Sequence, residues 1–594
     1  MQIHKMQKKC LLDFSFERIP LVVLLFLGSC NKLGNEESRI SFNRDVRPKL
    51  NITMNKFLKR TGLALITTLL IVQCSNEEAN PPNVVLIMVD DMGYSDIGSY
   101  GGEIKTPHLD KLASNGLRFS SFNNAARCWP TRASILTGYY PQQVGRDNAP
   151  GIKGGAHGDR PEWASLVPRY LKKAGYRSYH SGKWHLDGRP VESGFDRSYL
   201  LGDQGRFFSP QKLYINDQPI PAIERGSGYY ATIATAEKAI DHLKEHSESH
   251  ADKPFFSYIA FTAPHFPLHA LPEDIEAVGD RYAEGWDKTR EKRWEKIKEL
   301  GIASGELSEA EPQVGPPYHF ADAYEILGDG EENRPVAWES LTKRQKKFQQ
   351  DKMTIHAAMI ERVDKEIGRI VDQLKAMGQL ENTLILFLSD NGASAEIMVR
   401  DDGHDPNAVP GSATSYLCLG PGWSTTSNTP FRKHKTWVHE GGSCTPLIAH
   451  WPKGILGKGE LRHTYGHIID VVPTILDMAG IPADNSFQVD LPGQSLRPVF
   501  AKDFDRQDPI WYYHEGHRAI RQGDWKLVAA SEQPWELYNL AEDRTESNDL
   551  AISNPEKLNE MDKVWTRLLH EIREVAPYKT NMNEKAKVTT ENLE

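Results

Sequence analysis

Three continuous apolar runs constrain this chain most, because each has the length of a buried strand and each ends in polar residues. The runs cover 84–89, 255–261 and 383–388. Uninterrupted apolar runs of this length are typical of strands that are covered on both faces of a sheet. Helical patterns at 163–174, 230–246 and 351–377 alternate with these runs. The alternation predicts an α/β fold with a mostly parallel sheet between layers of helices.

The pattern changes after residue 500. Short runs at 511–513, 519–521, 525–528 and 535–538 are separated by turns. Short strands with this spacing indicate a small antiparallel sheet. An amphipathic pattern at 555–575 predicts a final helix that packs on it.

Acidic residues follow two of the apolar runs directly. Asp90 and Asp91 come after the first run, and Asp390 and Asn391 come after the third. Ligands of parallel sheets bind beyond the carboxyl ends of the strands. Three carboxylates and an amide oxygen suit a hard cation such as Ca²⁺ or Mg²⁺ better than Zn²⁺. Either pair alone fits a turn or a helix cap, but two pairs after two strands favour a metal site.

The charge is unevenly distributed along the chain. Residues 1–73 hold 12 Lys and Arg against 5 Asp and Glu, although the whole chain has a net charge of −9. The remainder is therefore strongly acidic, which argues against nucleic acid as a partner. An anionic substrate would need a local cluster of basic residues.

The basic leader contains two short apolar runs, at 21–27 and 63–72, and each is followed by a cysteine, Cys30 or Cys74. Both runs are too short to span a bilayer and have the form of a secretory signal. Each cysteine context resembles a bacterial lipobox, so we expect export to the periplasm or cell surface, with a lipid on Cys74 or Cys30 as the only membrane attachment. We interpret Met54 as the initiator and 1–53 as an over-extended gene model; the alternative is a single leader that ends at Cys30.

Six cysteines are too few for a disulfide framework in a chain of 594 residues. Outside the leader only Cys128, Cys418 and Cys444 remain. A Cys418–Cys444 bond and two buried free thiols are both open.

The segment Cys128-Trp-Pro-Thr-Arg132, with Leu136-Thr-Gly138 at its end, resembles the signature of the sulfatase family. Further segments that resemble the family's motifs follow the family's order, at 83–93, 182–185, 262–268, 389–392 and 429–442. The resemblance extends from about residue 83 to about residue 550. It implies an alkaline-phosphatase-like fold with a catalytic domain at 80–505 and a C-terminal subdomain at 506–594, which follow the leader at 1–79.

The resemblance also implies a chemistry. A maturation enzyme would oxidise Cys128 to 3-oxoalanine (formylglycine), whose hydrate attacks the sulfur of a sulfate ester. One Ca²⁺, with Mg²⁺ as the alternative, would be held by Asp90, Asp91, Cys128, Asp390 and Asn391. The implied catalytic residues are Cys128, Arg132, Lys183, His185, His265 and Lys435.

The implied roles follow from the charge of a sulfate ester. Lys183, His265 and Lys435 would bind its oxygens, with His265 or Lys435 protonating the departing alcohol. His185 would be the base that takes a proton from the hydrate. Taken singly, each histidine also fits a packed structural residue. Lys433 and His434 compete with Lys435, and the family's Pro-Phe-Arg and Glu-Gly-Gly landmarks point to Lys435.

The substrate is less constrained than the reaction. Candidate specificity segments are 272–349 and 400–406, and candidate substrate-binding residues are His404 and His439. An exported lipoprotein fits a sulfatase of sulfated polysaccharides or oligosaccharides, and we prefer an algal, ulvan-type glycan. The alternatives are a phosphonate or phosphate-ester hydrolase of the same superfamily and a non-catalytic glycan-binding lipoprotein. The oligomeric state is left open.

Overall fold

The computed structural model describes residues 81–482 and 487–579. The leader, with Cys30, Met54 and Cys74, lies outside the described residues. Twelve strands lie in the first of these ranges: β1 (Asn83–Val89), β2 (Leu117–Phe119), β3 (Phe122–Asn123), β4 (Arg177–Lys183), β5 (Arg197–Leu201), β6 (Leu213–Ile215), β7 (Gln218–Ile220), β8 (Phe255–Ala260), β9 (Thr383–Ser389), β10 (Leu447–His450), β11 (Glu460–Arg462) and β12 (Gly466–His467).

Ten of these described strands form the main sheet, in the order β11-β2-β10-β9-β1-β8-β4-β5-β6-β7. The central strands β9, β1, β8, β4 and β5 are parallel, whereas β10 and β6 run antiparallel to their neighbours. β3 and β12 pair separately. The three predicted apolar strands are β1, β8 and β9, and they lie side by side in the centre. The predicted mixed, mostly parallel sheet is therefore confirmed.

Thirteen helices lie in the described residues: α1 (Pro107–Ser114), α2 (Cys128–Thr137), α3 (Val167–Lys173), α4 (Ala231–Ser249), α5 (Pro272–Val278), α6 (Gly285–Glu299), α7 (Ala321–Leu327), α8 (Lys343–Ala376), α9 (Gly420–Ser427), α10 (Glu440–Ser443), α11 (Val471–Met478), α12 (Arg497–Ala501) and α13 (Pro555–Val575). Helix α8 begins eight residues before the predicted start, because Thr342 and Gln345 form a capping box there. Helix α3 is shorter than predicted, since Pro168 lies in its first turn.

Helices cover both faces of the sheet. Along β1, Val85 and Ile87 pack in one apolar cluster with residues of α4 and α8, whereas Val84 and Leu86 pack in a second cluster with residues of α11. Because successive side chains of a strand point to opposite faces, β1 is buried on both sides, as its uninterrupted apolar run predicts.

The C-terminal region contains the predicted small antiparallel sheet. Its strands are β13 (Ile510–His514), β14 (His517–Gln522), β15 (Trp525–Ala529) and β16 (Glu536–Asn539), in that order. Helix α13 packs on them through Trp565, Leu569 and Ile572, which share the second apolar cluster. The division between residues 505 and 506 stays a prediction.

Two open questions concern membrane spans and cysteines. Among the described residues, no helix has both the length and the apolar character that crossing a bilayer requires. Cys418 and Cys444 are buried free thiols rather than a disulfide. Cys418 packs against Phe266 and Met398, and Cys444 lies 3.2 Å from the Arg544 guanidinium.

Candidate active site

The carboxyl ends of β1 and β9 bring four predicted metal ligands together. β1 and β9 are in register from Asn83 and Thr383 to Val89 and Ser389, so the next residues of both strands meet at one edge. The backbone N–H of Asp91 lies 3.4 Å from Asp390 Oδ1, and the Asn391 amide donates to Asp91 Oδ1 at 2.7 Å. Asp90 and Asp390 are fully buried.

This set of oxygens fits a hard divalent cation. Asp90 Oδ1 and Asn391 Oδ1 are buried, and neither has a hydrogen-bond partner within the described chain. Burial, together with the nearby Asp90 carboxylate, raises the pKa of Asp390 to about 7. Asp90, Asp91 and His265 place possible ligand atoms within 4.8 Å of one another. Crowded carboxylates with unpaired oxygens are what a bound cation would stabilise.

Two cations lie against these carboxylates. Lys183 ends β4 and donates to Asp90 Oδ2. Arg132, one turn into α2, donates to Asp390 Oδ2 from Nε at 3.0 Å and from Nη2 at 2.7 Å. Gly182 precedes Lys183 with φ +109°, and a Cβ there would lie 2.1 Å from the Ala260 carbonyl oxygen. Glycine is therefore required where β4 delivers Lys183 to the pocket.

The structure separates the three competing residues of the lysine segment. Lys435 Nζ lies 2.8 Å from Asp91 Oδ1 and is buried in the pocket. Lys433 instead pairs with Glu311 at 2.7 Å, and His434 hydrogen-bonds Ser424 at 2.8 Å. Of the three, Lys435 is the one placed at the metal ligands.

The two predicted histidines flank the same pocket. His265 Nε2 lies 3.7 Å from Asp91 Oδ2, and burial lowers the pKa of this imidazole to about 4. His185 has φ 59°, a left-handed conformation that is uncommon outside glycine and that clusters at functional sites. Its Nδ1 is buried without a partner among the described residues, and its ring lies 5.9 Å from that of Trp129.

Cys128 is the first residue of α2, so it lies at the positive end of a helix dipole. Burial raises the pKa of its thiol, and Lys183 and Lys435 oppose that rise. Asp90 and Asp390 are also close enough to act on the thiol electrostatically. The thiol lies outside the Asp90–Asp91–His265 cluster, so its predicted role as a metal ligand refers to the oxidised residue.

Sequence reasoning missed a second layer of charge. Glu396 lies 3.1 Å from Lys435 Nζ and 3.0 Å from the Arg127 guanidinium. Arg127 in turn lies 5.1 Å from the rings of Trp129 and Tyr318. The available signal was proximity in sequence, since Arg127 precedes Cys128 and Glu396 follows Asn391 by five residues. Without tertiary contacts, neither residue could be distinguished from a surface charge.

The two predicted substrate-binding histidines make their contacts away from the metal ligands. His439 is fully buried, and its Nε2 lies 3.4 Å from Glu536 of β16. Lys183 and Lys435 are just as buried, so burial does not test the assignment of His439, and its substrate binding stays a prediction. His404 is half-buried, and its Nδ1 accepts a hydrogen bond from the Tyr416 N–H at 2.9 Å. Its loop, rather than its ring, borders the cavity described below.

The charges of the described pocket balance before any cation is added. Its carboxylates are Asp90, Asp91, Asp390 and Glu396, and its cations are Arg127, Arg132, Lys183 and Lys435. A divalent cation on the unpaired oxygens would therefore give the pocket a net positive charge. Fold and site together define an α/β enzyme with a buried pocket for an anionic ester, placed at the carboxyl edge of the sheet.

Comparison with known proteins agrees with this class. The family model named Sulfatase matches residues 82–481, and a model of the C-terminal part of N-sulphoglucosamine sulphohydrolase matches 432–575. The chain belongs to the sulfatase family and is a sulfuric ester hydrolase.

Individual relatives extend over most of the chain. An uncharacterized sulfatase of Schizosaccharomyces pombe is 31% identical over 82% of this chain and 93% of its own length. An arylsulfatase of Klebsiella aerogenes is 30% identical over 72% of this chain and 93% of its own length. The crystal structure of Ps i-CgsB in complex with k-i-k-neocarrahexaose is 25% identical, with a TM-score of 0.59, and the match covers 84% of this chain and 94% of that one.

Proposed function

We infer that this sulfatase uses an oxidised Cys128, as 3-oxoalanine, and one divalent cation, Ca²⁺ in preference to Mg²⁺, to hydrolyse sulfate esters of a glycan. The observation that carries this is the surroundings of Cys128. The residue begins a helix, and Lys183, Lys435, Asp90 and Asp390 all act electrostatically on it. A nucleophile at this point would meet an ester whose oxygens face fixed cations.

The chain's own residues supply most of what the reaction needs. In its hydrated form, the 3-oxoalanine would supply the nucleophile, and the cation would hold a sulfate oxygen. Lys183 and Lys435 are fixed by carboxylates, so they face the developing charge without reorganising. Arg132 is fixed by two hydrogen bonds to Asp390, which keeps this carboxylate in place for the cation.

We assign the proton transfers to His185, His265 and Lys435. His185 lies beside Trp129, the neighbour of Cys128, and its unpartnered Nδ1 suits a base that takes a proton from the hydrate. His265, with Nε2 directed at Asp91, or Lys435 would donate the proton to the departing alcohol. Both groups border the same carboxylate, so the leaving oxygen would lie near Asp91.

A glycan substrate is supported by two comparisons. The matched C-terminal model is named for an enzyme of N-sulphoglucosamine, and the neighbouring Ps i-CgsB structure holds a neocarrahexaose. Together with the expected export of the chain, these favour a sulfated polysaccharide or its oligosaccharides. Within this class, we propose an algal glycan of the ulvan type.

The decisive assay compares ester types. Protein from a host with a formylglycine-generating enzyme should hydrolyse an aryl sulfate faster than the matching aryl phosphate. The reverse order would instead support a phosphate-ester or phosphonate hydrolase. Equal, background rates for wild type and Cys128→Ala on both esters and on sulfated oligosaccharides would indicate a non-catalytic glycan-binding protein.

Maturation has a structural consequence. Arg132 is fully buried and Cys128 nearly so in the folded chain. A maturation enzyme that reads this motif must therefore act before folding is complete. We expect unmodified Cys128 in protein that is refolded before exposure to that enzyme, and converted Cys128 when the order is reversed.

We also propose export with lipid attachment at Cys74 or Cys30. Metabolic labelling with a radioactive fatty acid tests this in the Cys74→Ser and Cys30→Ser variants. Loss of label in one of the two would identify the anchor. Label in both variants, or in neither variant nor wild type, would contradict the proposal.

A further inference from the structure

We propose that a cavity beyond strand β5 is a subsite for an uncharged sugar residue of the substrate, remote from the sulfate ester; the inference rests on the proposed glycan sulfatase function. The cavity has a volume of about 570 Å³, within the range of small-molecule sites. Its lining includes Arg206, Ser209, Gln211, Ile223, Arg225 and Asp402.

The cavity lies at the same edge of the sheet as the active site. β5 runs parallel to β4, and Leu201 pairs with Lys183 at the carboxyl end of both strands. The segment that follows Leu201 therefore leaves the sheet where Lys183 enters the pocket. With neighbouring strands about 4.8 Å apart, the end of β5 lies roughly 14 Å from that of β1. That separation requires a substrate longer than one sugar.

A series of neighbouring residues leads from the catalytic pocket towards the cavity. Phe266 follows His265, and the two rings lie 4.0 Å apart. Lys435 Nζ lies 5.4 Å from the Phe266 ring, and the Arg400 guanidinium lies 5.9 Å from it. Asp402, two residues after Arg400, lines the cavity. A glycan with its ester at His265 would thus extend from the catalytic pocket towards Asp402.

The charges of the cavity favour hydroxyl groups over a second sulfate. Asp402 pairs with Arg206 at 3.0 Å and with Arg225 at 3.2 Å, and Asp203 also pairs with Arg206, at 3.2 Å. Two arginines are thereby neutralised by two aspartates, and Glu224 adds a further negative charge to the lining. A second anionic group of the substrate would find no excess of positive charge in this cavity. The catalytic pocket, by contrast, has such an excess once a cation is bound.

Donors and acceptors are nevertheless abundant. The Gln211 amide donates to the Ser209 carbonyl at 2.9 Å, which leaves its carbonyl oxygen to accept. The arginines donate and Asp402 accepts, and a sugar hydroxyl can do both. Ile223 adds an apolar surface for the ring carbons. The chemical class that fits is a neutral pyranose within an oligosaccharide.

The test measures chain-length preference. Ulvan, carrageenan and chondroitin sulfate are used as hexasaccharides and as disaccharides, with 4-nitrophenyl sulfate as the small ester. Wild type should prefer the hexasaccharide of its best glycan over the disaccharide. Arg225→Ala and Gln211→Ala should each lower kcat/KM for the hexasaccharide by about tenfold relative to the aryl sulfate, through a higher KM. Both side chains are exposed, so neither change should impair folding.

Arg344→Ala removes a more exposed arginine that lies on α8 and also pairs with an aspartate, and it serves as the control. It should leave every ratio unchanged. The subsite is contradicted if wild type shows no preference for length, if both cavity variants keep that preference, or if an enzyme active on the aryl sulfate hydrolyses no hexasaccharide. Failure of converted wild type on the aryl sulfate and on all glycans would instead overturn the proposed function.

Discussion

Two clusters of buried charge in this protein use the same residue types for different ends. At the C-terminal sheet, Glu440 pairs with Lys526 at 2.7 Å and with Arg544, and Lys526 also pairs with Glu546 at 2.8 Å. Each charged group there has an oppositely charged partner. In the catalytic pocket, Asp90 Oδ1 and Asn391 Oδ1 have no partner within the described residues. Glu546 Oε1 at the C-terminal sheet also has no hydrogen bond, but it lies 2.8 Å from Lys526 Nζ. The functional cluster differs because its two unpartnered oxygens follow adjacent parallel strands, where one cation could bind both.

The energetic reason is that a buried charge is costly unless it is paired. Burial alone would raise the pKa of Glu440, but Arg544 and Lys526 hold it well below its usual range. At Asp390 the balance goes the other way, since burial and Asp90 together raise the pKa to about 7. The charges at the C-terminal sheet are stabilised by one another, whereas the raised pKa of Asp390 shows a carboxylate whose ionised form a bound cation would stabilise.

The largest effect is expected at the nucleophile. Cys128→Ala should lower kcat/KM for an aryl sulfate by more than about 10⁴-fold, because the nucleophile is lost while the fold remains. Cys444→Ala, which removes an equally buried thiol at the interface, should keep the activity and lose only some stability. Comparable activity of Cys128→Ala and wild type would contradict the assignment of Cys128.

The second effect concerns the interface. Glu440→Ala should lower the free energy of unfolding by about 3–5 kcal/mol, because it removes the carboxylate that pairs with the buried Arg544 and leaves Lys526 with Glu546 alone. Urea denaturation measures this, with Glu460→Ala as an exposed control that should change stability by less than about 0.5 kcal/mol. Wild-type stability of Glu440→Ala would show that the interface charges are not needed for folding.

The third effect is stabilisation by the metal. Ca²⁺ added to chelator-treated protein at 100 times its Kd should stabilise the fold by about 2.7 kcal/mol, seen as a higher Tm. Asp90→Asn should abolish this shift, whereas Asp477→Asn, a partly exposed aspartate paired with Arg497, should retain it. An unchanged calcium shift in Asp90→Asn would remove Asp90 from the metal site.

A smaller effect is expected from Glu396, a positioning residue that acts through Lys435. Glu396→Gln should lower kcat/KM about 10–100-fold at unchanged 3-oxoalanine content, by loosening Lys435. Glu396→Asp should restore part of the activity, because the negative charge remains. A fall in Tm at unchanged kcat would show that Glu396 only stabilises the fold.

The smallest effect is a pH dependence of stability at Glu311, which pairs with Arg432 at 2.8 Å and with Lys433. Burial opposes ionisation, but both cations lower the pKa of Glu311 to about 2. Because the folded value lies below the usual one of about 4.3, the pair stabilises the fold above that pH and loses its contribution as pH falls towards 2. In Glu311→Gln, the urea concentration at the midpoint of unfolding should depend less on pH between pH 5 and 2.5 than in wild type. The same pH dependence in wild type and in Glu311→Gln would contradict the pairing.

Much of the fold could be predicted from the sequence, for a physical reason. Strands buried on both faces must be apolar throughout, so β1, β8 and β9 stand out in a chain of otherwise mixed polarity. Helix ends were less accurate, since the start of α8 depends on the local capping by Thr342. Whether Cys418 and Cys444 form a disulfide depends on the distance between them in the folded chain, which the sequence does not give.

The site was predictable only where it follows directly from a strand end or a motif. Asp90, Asp390 and Lys183 end strands, so parallel topology brings them to one edge. Glu396 and Arg127 meet only through tertiary packing and were missed. The contact of His439 with Glu536 of the C-terminal sheet could not be predicted from its neighbours in sequence either.

The central claim is that an oxidised Cys128 performs the reaction. Mass spectrometry of the Cys128 peptide, from protein purified from a host with the maturation enzyme and shown to release sulfate, tests it most directly. The account predicts the mass of 3-oxoalanine at residue 128, in a fraction that scales with specific activity across preparations. Full sulfatase activity in protein that carries only the unmodified thiol would contradict it.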